Sequence, residues 1–371
     1  MKIKLARGLP PLSVMKKLIP DISLAMKKSL DSDPKSFLQY GHFAGYQPLR
    51  EIMAKKFKVS ANRVIVGNSS MDTLNLFLLF LKQTQELKNY IYTEAVYDRP
   101  LKIAEALHMN IQSVHLKEDG VDLENLKDTL EKTDDLGVVY SIPWFDNPTG
   151  IQHTEANRED VADIVKKKGW YLIRDGAYID LDYHNTPIIP EVCDNVIQTF
   201  TFSKTISAGM HVGGIIIPES LSESFIDFIT SWRLSPVLPT QMAVCELISS
   251  GIWEKHMQEV VIPDGKKRTE YFNKLMDEFL PESKKRDIMG GHFWGGRIEG
   301  ITLENWDEFV RIADEEYDVH IPDPKGFMPL SKPEDRVGFI RIPLFMEEDG
   351  LDDPLRQIVE GVYSARERVC V

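Results

Sequence analysis

Cysteine is scarce in this chain: Cys193, Cys245 and Cys370 are the three in 371 residues, and no two are spaced as a CxxC pair. That argues against a disulfide framework and a sulfur-rich zinc site, and no metal is expected. Long apolar runs are missing too. The densest, Leu74 to Leu81, is far too short to span a bilayer. The opening Met1-Lys2-Ile3-Lys4-Leu5-Ala6-Arg7 lacks the apolar stretch of a signal peptide. Positive charge is the minority, with 44 Lys and Arg against 57 Asp and Glu and a net charge of −13. Without a long basic tract, such a chain is a poor binder of nucleic acid or anionic membrane. No internal repeat occurs, which excludes a solenoid. A reducing, cytoplasmic location is the expectation.

What is present is ample apolar residue content, 43% of a chain long enough for two domains. The middle of the chain alternates short β-branched runs with amphipathic segments. Strands are expected at Arg63–Val66, Tyr90–Tyr92, Ile111–His115, Val138–Ile142, Trp170–Ile173, Val196–Phe202 and Gly213–Ile217. Helices are expected at Pro48–Phe57, Asp72–Leu81, Pro100–Leu107, Leu123–Leu130 and Glu155–Lys168. Runs such as Gly-Val-Val-Tyr-Ser-Ile suit a sheet buried on both faces. The alternation predicts an α/β fold with a mostly parallel sheet, whose ligands bind at the carboxyl ends of the strands. After Pro263 the pattern changes to a charged helix at Pro263–Glu278, the glycine-rich stretch Gly290 to Gly296, a helix near Glu304–Tyr317, a strand at Val337–Ile342 and a closing helix at Asp353–Arg366. This reads as a smaller α+β domain against which the first forty residues pack.

Five local features can carry chemistry, and each also has a plain structural explanation. Gly67-Asn68-Ser69-Ser70 follows a strand and opens a helix, so it is either an anion-binding loop or a simple N-cap. Asn147-Pro148-Thr149-Gly150 is a turn whose amide can also reach a ligand. Asp175, directly after a buried strand, either caps a helix or meets a cation, a metal or a protonated ring nitrogen. Lys204 in Thr201-Phe202-Ser203-Lys204 is either a solvated charge or an amine able to form a Schiff base. Arg341 lies in the apolar strand Gly338-Phe339-Ile340-Arg341-Ile342-Pro343 and calls for a carboxylate, internal or bound.

In this order the five features resemble the class I/II aminotransferases of fold type I, which use pyridoxal 5′-phosphate. Leu38-Gln39-Tyr40-Gly41 with Gly45-Tyr46-Gln47-Pro48-Leu49-Arg50-Glu51, the opening Gly8-Leu9-Pro10 and Gly290-Gly291 make the match similar to the aromatic, kynurenine and 2-aminoadipate subgroup. The resemblance covers nearly the whole chain. It implies a large domain at 46–262 with a mostly parallel seven-stranded sheet, and a small domain from 1–45 and 263–371. It implies transamination between an α-amino acid and a 2-oxo acid by a ping-pong mechanism, with Lys204 holding the cofactor as an aldimine. Asp175 would pair with the pyridine nitrogen, and Tyr178 and Asn147 with the phenolic oxygen. Tyr97 would stack on the ring, and Ser69, Ser70, Thr201 and Ser203 would contact the phosphate. Tyr40 would reach the phosphate of a neighbouring subunit, which implies a homodimer. Arg341 would bind the substrate α-carboxylate, close to Gly8.

The chain departs from the family pattern in places. Ala208-Gly209-Met210-His211 stands where Pro-Gly-x-Arg is usual, so His211 would replace the arginine that grips the phosphate, with a shorter side chain. Gly176 follows Asp175 where an acidic residue is usual, and Asp146 stands where the subgroup often has Gln. Two other readings remain open. One is a different reaction on the same fold, a β-lyase, decarboxylase or synthase. The other is a non-catalytic effector domain, expected to carry an N-terminal DNA-binding domain for which there is no room before Gly8.

Overall fold

Strands that are apolar at consecutive positions need cover on both faces, and in the computed structural model of this chain they receive it. The structure describes residues 2–5, 8, 10–185, 189, 191–346 and 353–370. Leu9 of the Gly8-Leu9-Pro10 motif, together with Met1, Ala6 and Arg7, lies outside the described residues. The central sheet consists of β1 (Val64–Gly67), β2 (Asn89–Thr93), β3 (Asn110–Val114), β4 (Gly137–Ser141), β5 (Tyr171–Arg174), β6 (Val196–Thr201) and β7 (Gly213–Ile216). Their spatial order is β1-β7-β6-β5-β4-β2-β3. All neighbours run parallel except β7, which is antiparallel to β1 and β6. β7 follows β6 after a connection too short for a helical crossover, so it turns back beside it.

The principal helices of this part are α1 (Ile19–Ser32), α2 (Gln47–Phe57), α3 (Ser70–Thr84), α4 (Asp98–Ala106), α5 (Leu123–Glu131), α6 (Glu155–Lys167) and α7 (Leu238–Ser249), of which α2 to α6 pack on the sheet. Local chemistry fixes their starts. Ser69, Asp122 and Thr154 each accept backbone N–H groups from the first turns of α3, α5 and α6. The fold is the expected α/β arrangement with a mostly parallel seven-stranded sheet.

The C-terminal part holds α8 (Ile262–Phe279), the antiparallel pair β8 (Phe293–Arg297) and β9 (Phe339–Pro343), α9 (Trp306–Glu316) and α10 (Pro354–Val369). The N-terminus divides between the two parts. Ile3–Lys4 pairs in parallel with Val319–His320 of the C-terminal part. α1, however, packs along α7 of the large part rather than on the small domain, burying Ala25 and Ser29. One apolar core runs through both parts, from Ile65 and Tyr140 in the sheet to Phe272, Trp294 and Phe309.

Candidate active site

Strand ends meet where α3 begins. The carboxyl ends of β1, β4, β5 and β6 and the antiparallel strand β9 surround a cavity of about 510 Å³. It is lined by Gly8, Ser69, Ser70, Tyr97, Asn147, Asp175, Tyr178, Thr201, Ser203, Lys204 and Arg341. Residues spread over more than 330 positions of sequence are thus gathered in one place.

Asp175 lies one residue past β5 and is 6% exposed. A carboxylate this deep is costly unless hydrogen-bonded. Its Oδ2 accepts a 2.6 Å bond from the Tyr140 hydroxyl, and its Oδ1 accepts from the Thr199 hydroxyl at 2.8 Å and the Ala177 N–H at 3.0 Å. Among the described residues no Lys, Arg or His forms an ion pair with it. Lys204 sits in the turn after β6, its Nζ 5.8 Å from the centre of the Tyr178 ring. Burial pushes its amine below the ordinary lysine range; the negative charge of Asp175 opposes this and Arg341 adds to it. Burial also raises the Tyr178 phenol, keeping it protonated as a hydrogen-bond donor.

One end of the cavity is rich in donors. Ser69 and Ser70 open the 15-residue helix α3, whose N-terminus favours an anion. Opposite them Thr201 donates to the Ser203 hydroxyl at 3.0 Å and accepts the Ser203 N–H at 3.2 Å. Close approach here needs glycine: a Cβ on Gly213 of β7 would stand 2.7 Å from the Ser70 nitrogen and 2.8 Å from the Phe200 carbonyl oxygen.

At the other end, Arg341 is buried in β9. Its guanidinium carbon lies 4.4 Å from the centre of the Phe293 ring and 4.3 Å from that of Phe327. Its Nη1 donates to the Asn147 Oδ1 at 2.8 Å. Burial pushes the guanidinium down to about 10, offset by the phenol of Tyr178 and the carboxylate of Asp98. Beside Asn147, Asp146 accepts from the Thr149 hydroxyl at 2.6 Å and from the Thr149 N–H at 3.3 Å. Burial raises its carboxyl to about 7 against those two bonds. Asp146 does not line the cavity.

A family profile, Aminotransferase class I and II, matches residues 1–278. The chain belongs to the class I and II aminotransferases. It is a pyridoxal-phosphate-dependent aminotransferase in fold and family. Aromatic-amino-acid aminotransferase 1 of Thermococcus litoralis is 25% identical over 323 residues, covering 81% of this chain and 75% of that protein. 2-Aminoadipate transaminase of Thermus thermophilus is 26% identical over 331 residues, covering 86% of this chain and 80% of that protein. A Bacillus subtilis protein named as an HTH-type transcriptional regulator, YisV, is 28% identical over 230 residues, 59% of this chain and 47% of that protein. The match thus spans about half of that regulator's length. In fold the chain is similar to the kynurenine aminotransferase of Pyrococcus horikoshii, with a TM-score of 0.84, 21% identity, and coverage of 99% of this chain and 91% of that one.

The residues of this aminotransferase fit the cofactor. A buried carboxylate without an ion-pair partner among the described residues suits a protonated ring nitrogen, and the hydroxyls beside a helix N-terminus suit a phosphate. Two expected site residues stand apart. His211 is exposed, with φ of 52° after the turn Ala208–Met210, and does not line the cavity. Tyr40 is 77% exposed and does not line it either, so its expected role depends on a second chain.

Several lining residues of this aminotransferase go unread in the sequence. Thr199, which holds Asp175 without lining the cavity, also went unread; its spacing from Thr201 was the signal, since residues two apart in a strand share a face. Asp98 and Arg99 directly follow Tyr97 at the start of α4, and Asp98 is held by Lys102 at 2.7 Å. Phe327 comes from an irregular segment that carries no periodic signal.

Proposed function

We propose that this aminotransferase moves an amino group between an α-amino acid and a 2-oxo acid, with Lys204 as the residue that binds the cofactor and moves the proton. The observation that carries this reading is a half-buried lysine sharing one cavity with Asp175 and Arg341. When bound, pyridoxal phosphate supplies a carbonyl that condenses with amines and a ring that withdraws electrons from the substrate Cα.

The chain's own residues then divide the work. Asp175 holds a proton at the ring nitrogen. Ser69, Ser70, Thr201 and Ser203 orient the phosphate, and Tyr97 covers the ring. Tyr178 and Asn147 donate to the phenolic oxygen; Asn147 can do so with its amide N–H while its Oδ1 accepts from Arg341. Arg341 receives the α-carboxylate, a role for which a planar fork of donors is suited. Lys204, with its amine pushed down by burial, reaches the neutral form at a lower pH than a surface lysine. A neutral amine there can accept the substrate α-proton and, once protonated, give a proton back.

The same reading includes a homodimer in the cytoplasm. Ile19, Leu24, Leu38 and Tyr40 near the N-terminus, and Trp232, Leu234 and Val237, are all large and exposed. The Val237 N–H bonds the Asn68 side chain at 2.9 Å, so this apolar segment is fastened to the loop that opens α3. Sedimentation at assay concentration reads the dimer, and a fully active monomer contradicts it.

A panel of amino acids scored for 2-oxo acid release, with and without a 2-oxo acid acceptor, tests the reaction. Release that requires the acceptor supports transamination. Acceptor-independent release points to a lyase, decarboxylase or synthase. No turnover with any amino acid, in protein that binds the cofactor, points to an effector domain like those of regulators.

A further inference from the structure

Two tyrosines that do not line the cavity lie fully buried in the sheet beside Asp175. Tyr90 on β2 and Tyr140 on β4 stack with ring centres 6.0 Å apart and planes 25° from parallel. Adjacent parallel strands place them side by side, Tyr92 pairing with Tyr140 and Tyr90 with Val138 in register. Such phenols have little else to bond in an apolar layer. Only Tyr140 reaches a partner: its hydroxyl donates to the Asp175 Oδ2, while the Tyr90 hydroxyl has none among the described residues. From β6, on the other side of β5, Thr199 donates to the Asp175 Oδ1 and accepts the Gly176 N–H at 3.0 Å. Both oxygens of one carboxylate are therefore held by neutral hydroxyls from the two strands flanking β5.

We propose that Tyr140 and Thr199 are positioning residues for the reaction, fixing the direction and basicity of Asp175 so that a proton stays on the bound ring nitrogen rather than passing to the carboxylate. The inference rests on the aminotransferase reading above. Its physical basis is that hydrogen bonds donated to a carboxylate stabilise the anion and lower its proton affinity. A carboxylate stripped of one donor competes harder for the shared proton, and the ring then withdraws electrons less well. Each carboxylate oxygen has two acceptor sites; Oδ1 already accepts from Thr199 and the Ala177 N–H and Oδ2 from Tyr140 alone, so a fourth donor is accommodated at Oδ2. Burial raises the Tyr140 phenol well above its ordinary value, with Asp175 adding to it, so the hydroxyl stays a donor across the working pH range. Tyr90, Tyr97, Tyr140, Tyr178, Asp146 and Lys204 are the titratable groups that act electrostatically with Asp175. Of these, only Tyr140 is hydrogen-bonded to it.

The test uses Tyr140→Phe, which keeps the stacked ring and removes one oxygen, with Thr199→Val and its conservative partner Thr199→Ser. The readouts on the cofactor-loaded protein are the pH midpoint of the visible absorption band, and kcat and KM separately. Tyr140→Phe and Thr199→Val are expected to move the midpoint upward by about half a pH unit or more. They are expected to lower kcat about tenfold or more while KM stays within about twofold, the size of one hydrogen bond to a charged group. Thr199→Ser is expected to restore both. Wild-type midpoint and kcat in Tyr140→Phe and Thr199→Val overturn the inference and leave the proposed function standing. Wild-type protein that takes up no cofactor overturns the reading beneath it. Should Tyr140→Phe fail to fold, the Thr199 pair decides by the same readouts.

Discussion

Arg341 on β9 and Asn147 in the turn after β4 are joined by a 2.8 Å hydrogen bond that closes the cavity between the two parts of the chain. The guanidinium also lies over the rings of Phe293 and Phe327. We predict that Arg341→Lys lowers kcat/KM for amino acids about tenfold to a hundredfold, because a point charge replaces a bidentate fork. Cofactor affinity, measured by titrating the apoprotein, should change little. Unaltered kcat/KM in the variant would remove Arg341 from the substrate site.

The two buried carboxylates near the cavity should separate in function. Asp175 lines the cavity and Asp146 does not. Asp175→Asn cannot stabilise a protonated ring by charge, and we predict a loss in kcat of about a hundredfold or more, as for removal of a charged transition-state contact. Asp146→Asn should cost about tenfold at most, acting only through the turn that carries Asn147. Steady-state kinetics of the two variants decides, and comparable losses in kcat would contradict this division.

Much of this arrangement was legible in the sequence because buried parallel strands leave a strong mark. The seven expected strands are all present, with ends displaced by at most one residue. The helices read at Pro48–Phe57 and Leu123–Leu130 occur as Gln47–Phe57 and Leu123–Glu131, where apolar period and caps agree. β8 was not legible: Phe293-Trp294-Gly295-Gly296-Arg297 has two glycines, which weaken a strand, and only pairing with β9 makes it one. The place of α1 was hidden as well, since its partner α7 lies some two hundred residues away. Among site residues, the partners of Asp175 escaped notice because Tyr140 reads as ordinary core and the contact joins separate strands.

Asp146 should also give the protein a pH-dependent stability. Its folded carboxyl is raised to about 7 by burial, above its ordinary range near 4 in the unfolded chain. Between those values the folded state holds the proton and the unfolded state has released it. The stabilising contribution is therefore complete below about pH 4 and is lost as pH rises through about 7. In Asp146→Asn this dependence is absent. Thermal unfolding of the apoprotein should show the variant gaining on the wild type between pH 5 and pH 8, by on the order of a few kcal/mol. A constant difference across that range would show that the carboxyl is not raised.

His211 should have little influence on cofactor binding, since it is exposed and lies outside the cavity lining. We predict that His211→Ala leaves the cofactor Kd within about twofold, whereas Ser69→Ala and Ser203→Ala each weaken it by about threefold to tenfold, the range of one hydrogen bond. Titration of the apoproteins with cofactor measures all three. A tenfold weakening in His211→Ala alone would place that side chain on the phosphate.

Lys204 is the centre of the account, and its chemistry can be read directly. The protein loaded with pyridoxal phosphate is reduced with borohydride, digested, and its peptides are mapped by mass spectrometry. The account predicts loss of the visible band on reduction and one phosphopyridoxyl group on the peptide carrying Ser203 and Lys204, absent in Lys204→Ala. Attachment at a different lysine, or none after saturation with cofactor, would contradict it.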